Sequence, residues 1–144
     1  MISIKIKTAE GAKLPEYQTA GAAGADVYAF LKEDVVLRPG ETKLVPTGLF
    51  MEIPEGFEVQ IRPRSGLALK NGIGILNAPG TIDSDYRGEV GVIVTNFGSE
   101  DYIITNRARI AQMVIAKVEK ADFILAESLT NTERMGGGFG HSGV

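Results

Sequence analysis

Short apolar runs alternating with Gly- and Pro-based turns constrain this chain more than anything else in it. Such runs recur at Ile2 to Lys7, Asp34 to Leu37, Lys43 to Val45, Leu49 to Ile53, Glu58 to Arg62, Val90 to Asn96, Tyr102 to Thr105 and Ile110 to Val118. Period-two patterning puts every second side chain on one face, which suits strands lying on a core. Between the runs stand Pro39-Gly40, Pro54-Glu55-Gly56, Asn71-Gly72, Pro79-Gly80 and Phe97-Gly98-Ser99, where proline fixes φ or glycine permits it to be positive. The helical candidate of note is Ser65 to Lys70, which Ser65 is placed to cap and Asn71-Gly72 to stop. Many short strands without a long helix predict an all-β sandwich or jelly roll and leave no material for a βαβ unit.

A chain of 144 residues makes one domain, here residues 1–144, with enough length to bury a real core. Its formal charge of -3 provides no basic field to hold nucleic acid or an anionic membrane. Cysteine is absent and His141 is the single histidine, which removes disulfides, thiolate catalysis, zinc-thiolate sites and a Ser-His-Asp triad in the body of the fold. Any metal is therefore expected to be hard and oxygen-bound. The N-terminal stretch alternates instead of forming an apolar core of a leader, and no window approaches a membrane span, so a cytoplasmic protein is expected.

Gly138-Phe139-Gly140-His141-Ser142-Gly143 matches the dinucleotide pattern GxGxxG, yet it follows no strand and opens no helix, so it is not a Rossmann turn. Five of the last nine residues are glycine, and ordering them is entropically costly, which predicts a mobile arm over about residues 130–144. Phe139 in this arm is either a chance exposure, docked on a neighbouring surface, or a lid that stacks on a planar ligand.

The densest polar segment is Gly80-Thr81-Ile82-Asp83-Ser84-Asp85-Tyr86-Arg87-Gly88. It lies between the apolar runs Gly72 to Asn77 and Val90 to Val94, and reads as a hairpin with chemistry at its tip. An Asx-stabilised turn explains Asp83 alone, but not two aspartates and a tyrosine together. Four further segments look over-specified for packing. In Arg62 to Ala68 a strand meets the short helix, and Arg64, Ser65 and free N–H groups make either an anion site or a plain cap. In Arg109 to Ile115 the Gln112 amide sits within an apolar strand and needs a partner, since leaving it unpaired would cost about 1–3 kcal/mol. Asp26, in Ala23 to Ala29, is a lone carboxylate at a strand start and could be an ordinary turn acid. Arg134, His141 and Ser142 flank Phe139 in the tail.

In this order and at these spacings the five segments resemble the five motifs of the trimeric dUTPase family (dUTP diphosphatases), from about Gly21 to Gly143. The matching residues are Ala23 to Asp26, Pro63 to Ala68, Asn77 to Gly88, Arg109 to Gln112, and Gly138-Phe139-Gly140. Met135 stands where glycine commonly follows the arginine, and His141-Ser142 replaces the commoner Ser-Thr. The resemblance implies a distorted jelly-roll protomer of the β-clip kind and a homotrimer whose active sites are shared between chains. The activity implied is hydrolysis of dUTP to dUMP and diphosphate, which keeps uracil out of DNA and supplies dUMP for dTMP synthesis.

The same resemblance assigns roles. Asp83 is the expected catalytic base, a carboxylate placed to accept a proton from the attacking water. Mg²⁺ is expected on the triphosphate oxygens and water, with Asp26 as an outer-shell contact and no protein cage. Ser65, Gly66 and Gln112 are expected to hold phosphate oxygens, with Arg64 beside them and Arg134 and Ser142 arriving from the tail. Backbone groups at Gly80, Thr81, Ile82 and Gly91, with the Asn77 amide, would read the uracil edge. Tyr86 would fill the space of a ribose 2′-hydroxyl, and Phe139, next to Gly140, would stack on the base. Two rivals keep the strands: a dCTP deaminase of the same fold, which uses a glutamate base, and a catalytically silent trimeric β module.

Overall fold

The computed structural model describes residues 2–138. The chain runs through β1 (Lys5–Thr8), β2 (Ala25–Tyr28), β3 (Val35–Leu37), β4 (Thr42–Glu52), β5 (Phe57–Arg62), α1 (Ser65–Asn71), β6 (Ile73–Ile75), β7 (Gly80–Ile82), β8 (Glu89–Asn96), β9 (Tyr102–Ile104) and β10 (Arg109–Lys117). One four-stranded sheet has the order β1-β4-β8-β6, a second β2-β10-β5-β7, and β3 pairs with β9. All these pairings are antiparallel. The all-β, jelly-roll-like architecture with one short helix is the one the alternation predicts.

Alternation explains the core directly. In β8, Val90, Val92 and Val94 point inward and are buried, while Gly91 and Ile93 are half-exposed. Val59 and Ile61 of β5 and Met113 of β10 meet them in the same apolar cluster, with Val27 of β2 and Val45 and Leu49 of β4. Each fully buried side chain of this kind contributes roughly 1.5–3 kcal/mol, so the two sheets hold each other through their inner faces.

Three local expectations are corrected. The runs at Lys43 to Val45 and Leu49 to Ile53 belong to one strand, β4, interrupted by a bulge: the register jumps from Pro46↔Gly91 to Phe50↔Glu89. Gly48 at the bulge has φ 67, and a Cβ there would lie 2.6 Å from Ala12 Cβ, so only glycine fits without displacement. The second correction concerns the helix. Arg64, not Ser65, is the N-cap, with extended φ −88 and ψ 127 and no side-chain cap hydrogen bond; Ser65 is the first helical residue. Gly72 does end the helix, in the left-handed conformation at φ 66, with its N–H on Ala68 and Leu67 carbonyls.

The third correction concerns the polar segment. β6 pairs with β8 from Ile73↔Asn96 to Ile75↔Val94, as the arms of a hairpin would. The chain between them, however, leaves that sheet, and Gly80–Ile82 joins the other one against β5, from Ile61↔Gly80 to Val59↔Ile82. The segment is an excursion that bridges the two sheets, and Asp83 to Gly88 form its return.

Candidate active site

The return begins with a turn in which Tyr86 N–H donates to the Asp83 carbonyl at 3.2 Å. Arg87 braces it, Nη1 donating to the Ser84 carbonyl at 2.7 Å and the Tyr86 carbonyl at 3.0 Å. Asp83 is exposed at the end of β7. Tyr86 is 46% exposed, and its hydroxyl donates to the Glu89 carbonyl at 3.0 Å. A hollow of about 190 Å³ is lined by Thr81, Ile82, Asp83, Tyr86, Glu89, Val90 and Gly91. Gly80 is buried beside Asn77, whose amide nitrogen lies 3.1 Å from where a Gly80 Cβ would be.

A larger hollow of about 870 Å³ shares Thr81 and Asp83 with the small one, but there Glu55, Glu58 and Asp85 join Asp83 against Arg87 and Lys120. Acidic groups outnumber basic ones, which opposes a polyphosphate. The small hollow is walled by strand backbone and the Tyr86 ring, with Asp83 and Glu89 as its charged groups.

A second cluster forms at the other end of the β2-β10-β5 sheet. In register, Asp26, Gln112 and Arg62 stand side by side across β2, β10 and β5. Asp26 is buried at 7% exposure and carries two ion pairs: Arg64 Nε at 3.0 Å on Oδ1 and Arg109 Nη1 at 3.1 Å on Oδ2. Arg64 Nη1 also donates to the Arg109 carbonyl at 3.3 Å. Gln112 Nε2 donates to the Pro63 carbonyl at 3.0 Å, which gives its half-buried amide a partner. A Cβ at Gly24 would overlap Gln112 Oε1, so Gly24 leaves room for that amide. Ser65 and Gly66 sit exposed on the first turn of α1 directly after Arg64. Tyr28, further along β2, donates its hydroxyl to Glu16 at 2.9 Å and, with Lys13, holds the Glu16 carboxyl below its usual range.

The chain thus brings Asp26, Arg64, Ser65, Gly66 and Gln112 into one place and Thr81, Ile82, Asp83, Tyr86 and Gly91 into another. It does not unite them. Gln112 lies on the row of Arg62, whereas Ile82 lies on the row of Val59, with β5 between their strands. At about 4.8 Å between strands and about 3.3 Å per residue, Asp83 and Gln112 are roughly 15 Å apart. Arg134 is exposed, and among the described residues its hydrogen bonds close on its own turn, Nε donating to the Gly137 carbonyl at 2.7 Å. Phe139, Gly140 and Ser142 lie outside the described residues. Arg87 and Arg109 stand within the segments singled out in the sequence but without an assigned role, and Glu89, the residue after the polar segment, is the group at the site that sequence reasoning passed over.

Among the described residues no three Asp, Glu or His side chains are grouped to hold a metal, and no helix is long and apolar enough to cross a membrane. The sequence matches the dUTPase family model over residues 10–143. The chain belongs to the dUTPase family. The deoxyuridine 5'-triphosphate nucleotidohydrolase of Chlamydia pneumoniae is 58% identical over 135 residues, 93% of each chain. That of Thermoanaerobacter sp. is 56% identical over 146 residues, covering 99% of each chain. Among solved structures, the Staphylococcus bacteriophage 80alpha dUTPase with dUPNHPP superposes with a TM-score of 0.90 at 27% identity, over 100% of both chains. The family match runs over residues 10–143, and both relatives are more than half identical over at least 93% of the chain, which sets it with dUTP nucleotidohydrolases and not with a dCTP deaminase.

Proposed function

We propose that Asp83 activates the attacking water in the hydrolysis of dUTP to dUMP and diphosphate. That reaction is the function of this dUTPase-family chain. The observation that carries the proposed mechanism is the separation of the two clusters. Water must be aimed at the α-phosphorus while other groups take charge from the leaving diphosphate. An Asp83 roughly 15 Å from Gln112 along the sheet cannot do the first while Gln112 of the same chain does the second. Sharing the site between chains removes the conflict: the Asp83 excursion of one protomer faces the Ser65, Gly66 and Gln112 cluster of the next.

Apolar surface supports the same reading. The stretch after β10 leaves Phe123, Ile124, Leu125 and Leu129 at least 82% exposed. A hollow of about 460 Å³ lined by Ile2, Ile4, Ile6, Met51, Met113 and Ile115 lies open on the same protein. Surfaces of this kind are normally covered in an assembly, and a closed homotrimer is the assembly the family resemblance implies.

Within the site, Ser65, Gly66 and Gln112 hold phosphate oxygens, with Arg64 adding positive charge. Backbone groups of Gly80 to Ile82 and of Gly91, with the Asn77 amide, read the uracil edge. Tyr86 lies beneath the deoxyribose, and residues from about 130, including Arg134, Phe139, Gly140 and Ser142, close as a lid. Mg²⁺ carried on the triphosphate would neutralise part of its charge. Each Asp26 oxygen retains a lone pair beyond its guanidinium partner, enough for an outer-shell contact through water. The deciding experiment is diphosphate release from dUTP, the four dNTPs and UTP: turnover confined to dUTP supports the reading, and equal turnover of dCTP or UTP overturns it.

A further inference from the structure

We propose that Glu89 is a positioning residue for Tyr86, fixing the ring that screens the sugar; the inference rests on the reading of Tyr86 given above. The argument begins at the β4 bulge. There the regular ladder between β4 and β8 is broken, and side chains replace it. Gly48 N–H donates to Glu89 Oε1 at 2.8 Å, and Thr47 Oγ1 donates to the Val90 carbonyl at 2.6 Å. The bulge therefore grips β8 at two consecutive residues, at the point where the excursion re-enters the sheet.

Glu89 makes a second contact with its own backbone. Its carbonyl accepts the Tyr86 hydroxyl at 3.0 Å. Tyr86 is nearly half exposed, so packing does little to hold the ring and this hydrogen bond does much of it. Gly88 is required between them, because a Cβ there would overlap the Tyr86 hydroxyl. The chain of contacts is then continuous: Gly48 fixes the Glu89 side chain, Glu89 fixes its carbonyl, and the carbonyl fixes Tyr86 at the wall of the small hollow. Removing the carboxylate leaves the Gly48 N–H without its partner, loosens the start of β8 and frees the ring.

The test is the ratio of kcat/KM for dUTP to that for UTP, measured on the full chain in Tyr86→Ala, Glu89→Ala, Glu89→Gln and Gly88→Ala, with thermal midpoints alongside. Glu89→Ala and Gly88→Ala are expected to lower the ratio by roughly fivefold, the scale of one lost hydrogen bond. Glu89→Gln retains an acceptor oxygen and should hold the ratio near wild type. Adding Glu89→Ala to Tyr86→Ala should change the ratio no further. A wild-type ratio in both Glu89→Ala and Gly88→Ala, with Tyr86→Ala lowering it, overturns the inference and leaves Glu89 a stabiliser of the bulge. An unchanged ratio in Tyr86→Ala overturns the reading of Tyr86 itself, and the inference with it.

Discussion

Arg64 Nε donates to Asp26 Oδ1 at 3.0 Å, so the residue that caps α1 is clamped to the middle of β2. Asp26 holds Arg109 with its other oxygen, at 3.1 Å. A carboxylate shared by two guanidinium groups fixes where the helix starts, and with it Ser65 and Gly66. Asp26→Ala removes a buried carboxylate from between two guanidinium groups, of which Arg109 is exposed and Arg64 half-buried, and should lower the unfolding free energy by about 1–3 kcal/mol. Turnover of dUTP should fall by at least about tenfold, since more than 1.4 kcal/mol of positioning is lost. Asp26→Asn, with one acceptor oxygen left, should fall between Ala and wild type in both respects. Urea unfolding and steady-state hydrolysis check this; an Asp26→Ala protein with normal stability and turnover would show that the clamp is idle.

Asp83 is exposed at the end of β7, so its substitution is expected to leave the fold alone. Asp83→Asn can still hold a water but cannot take its proton, and should reduce kcat by about 10²–10⁴-fold. Affinity for a nonhydrolysable imido analogue of dUTP, measured by calorimetry, should change little. Near wild-type turnover in this variant would remove Asp83 from the mechanism.

Gly24 offers a test of the phosphate side that acts on the proposed ligand Gln112 from its neighbour. A methyl at Gly24 displaces the end of the Gln112 side chain and breaks its 3.0 Å bond to the Pro63 carbonyl. Because that end is flexible and Gln112 is only half-buried, so that water can take up its amide, Gly24→Ala should fold and lose no more than about 1 kcal/mol of stability. The KM for dUTP should rise severalfold, as it should in Gln112→Ala. An unaltered KM in both variants would place the phosphates elsewhere.

Deleting residues 134–144 should leave the thermal midpoint within a few degrees of the full chain, because Arg134 and its neighbours are exposed and bonded only locally among the described residues. Hydrolysis should nonetheless collapse if the tail completes the site as a lid. A truncated protein that is markedly unstable yet cleaves dUTP normally would make the tail a structural strap.

The strands were legible in the sequence because their signal is local. A period of two needs only a handful of neighbouring side chains to declare itself, and Val90, Val92 and Val94 are buried as their spacing says. Turn positions were legible for the same reason, as at Gly72. The five polar segments were also visible, since acids, amides and glycines stand out against apolar strands. What the sequence alone did not determine is anything that depends on partners far along the chain. Lys43 to Val45 and Leu49 to Ile53 become one strand across a bulge whose Gly48 N–H is satisfied by Glu89, 41 residues away. Asp26 looked like a turn acid because its partners Arg64 and Arg109 lie 38 and 83 residues away. The polar segment looked like a hairpin tip because β6 and β8 do pair, while its middle is captured by β5 in the opposite sheet. Local steric and periodic preferences fix what each segment can be; only the packing of two sheets decides which charges meet and how far Asp83 stands from Gln112.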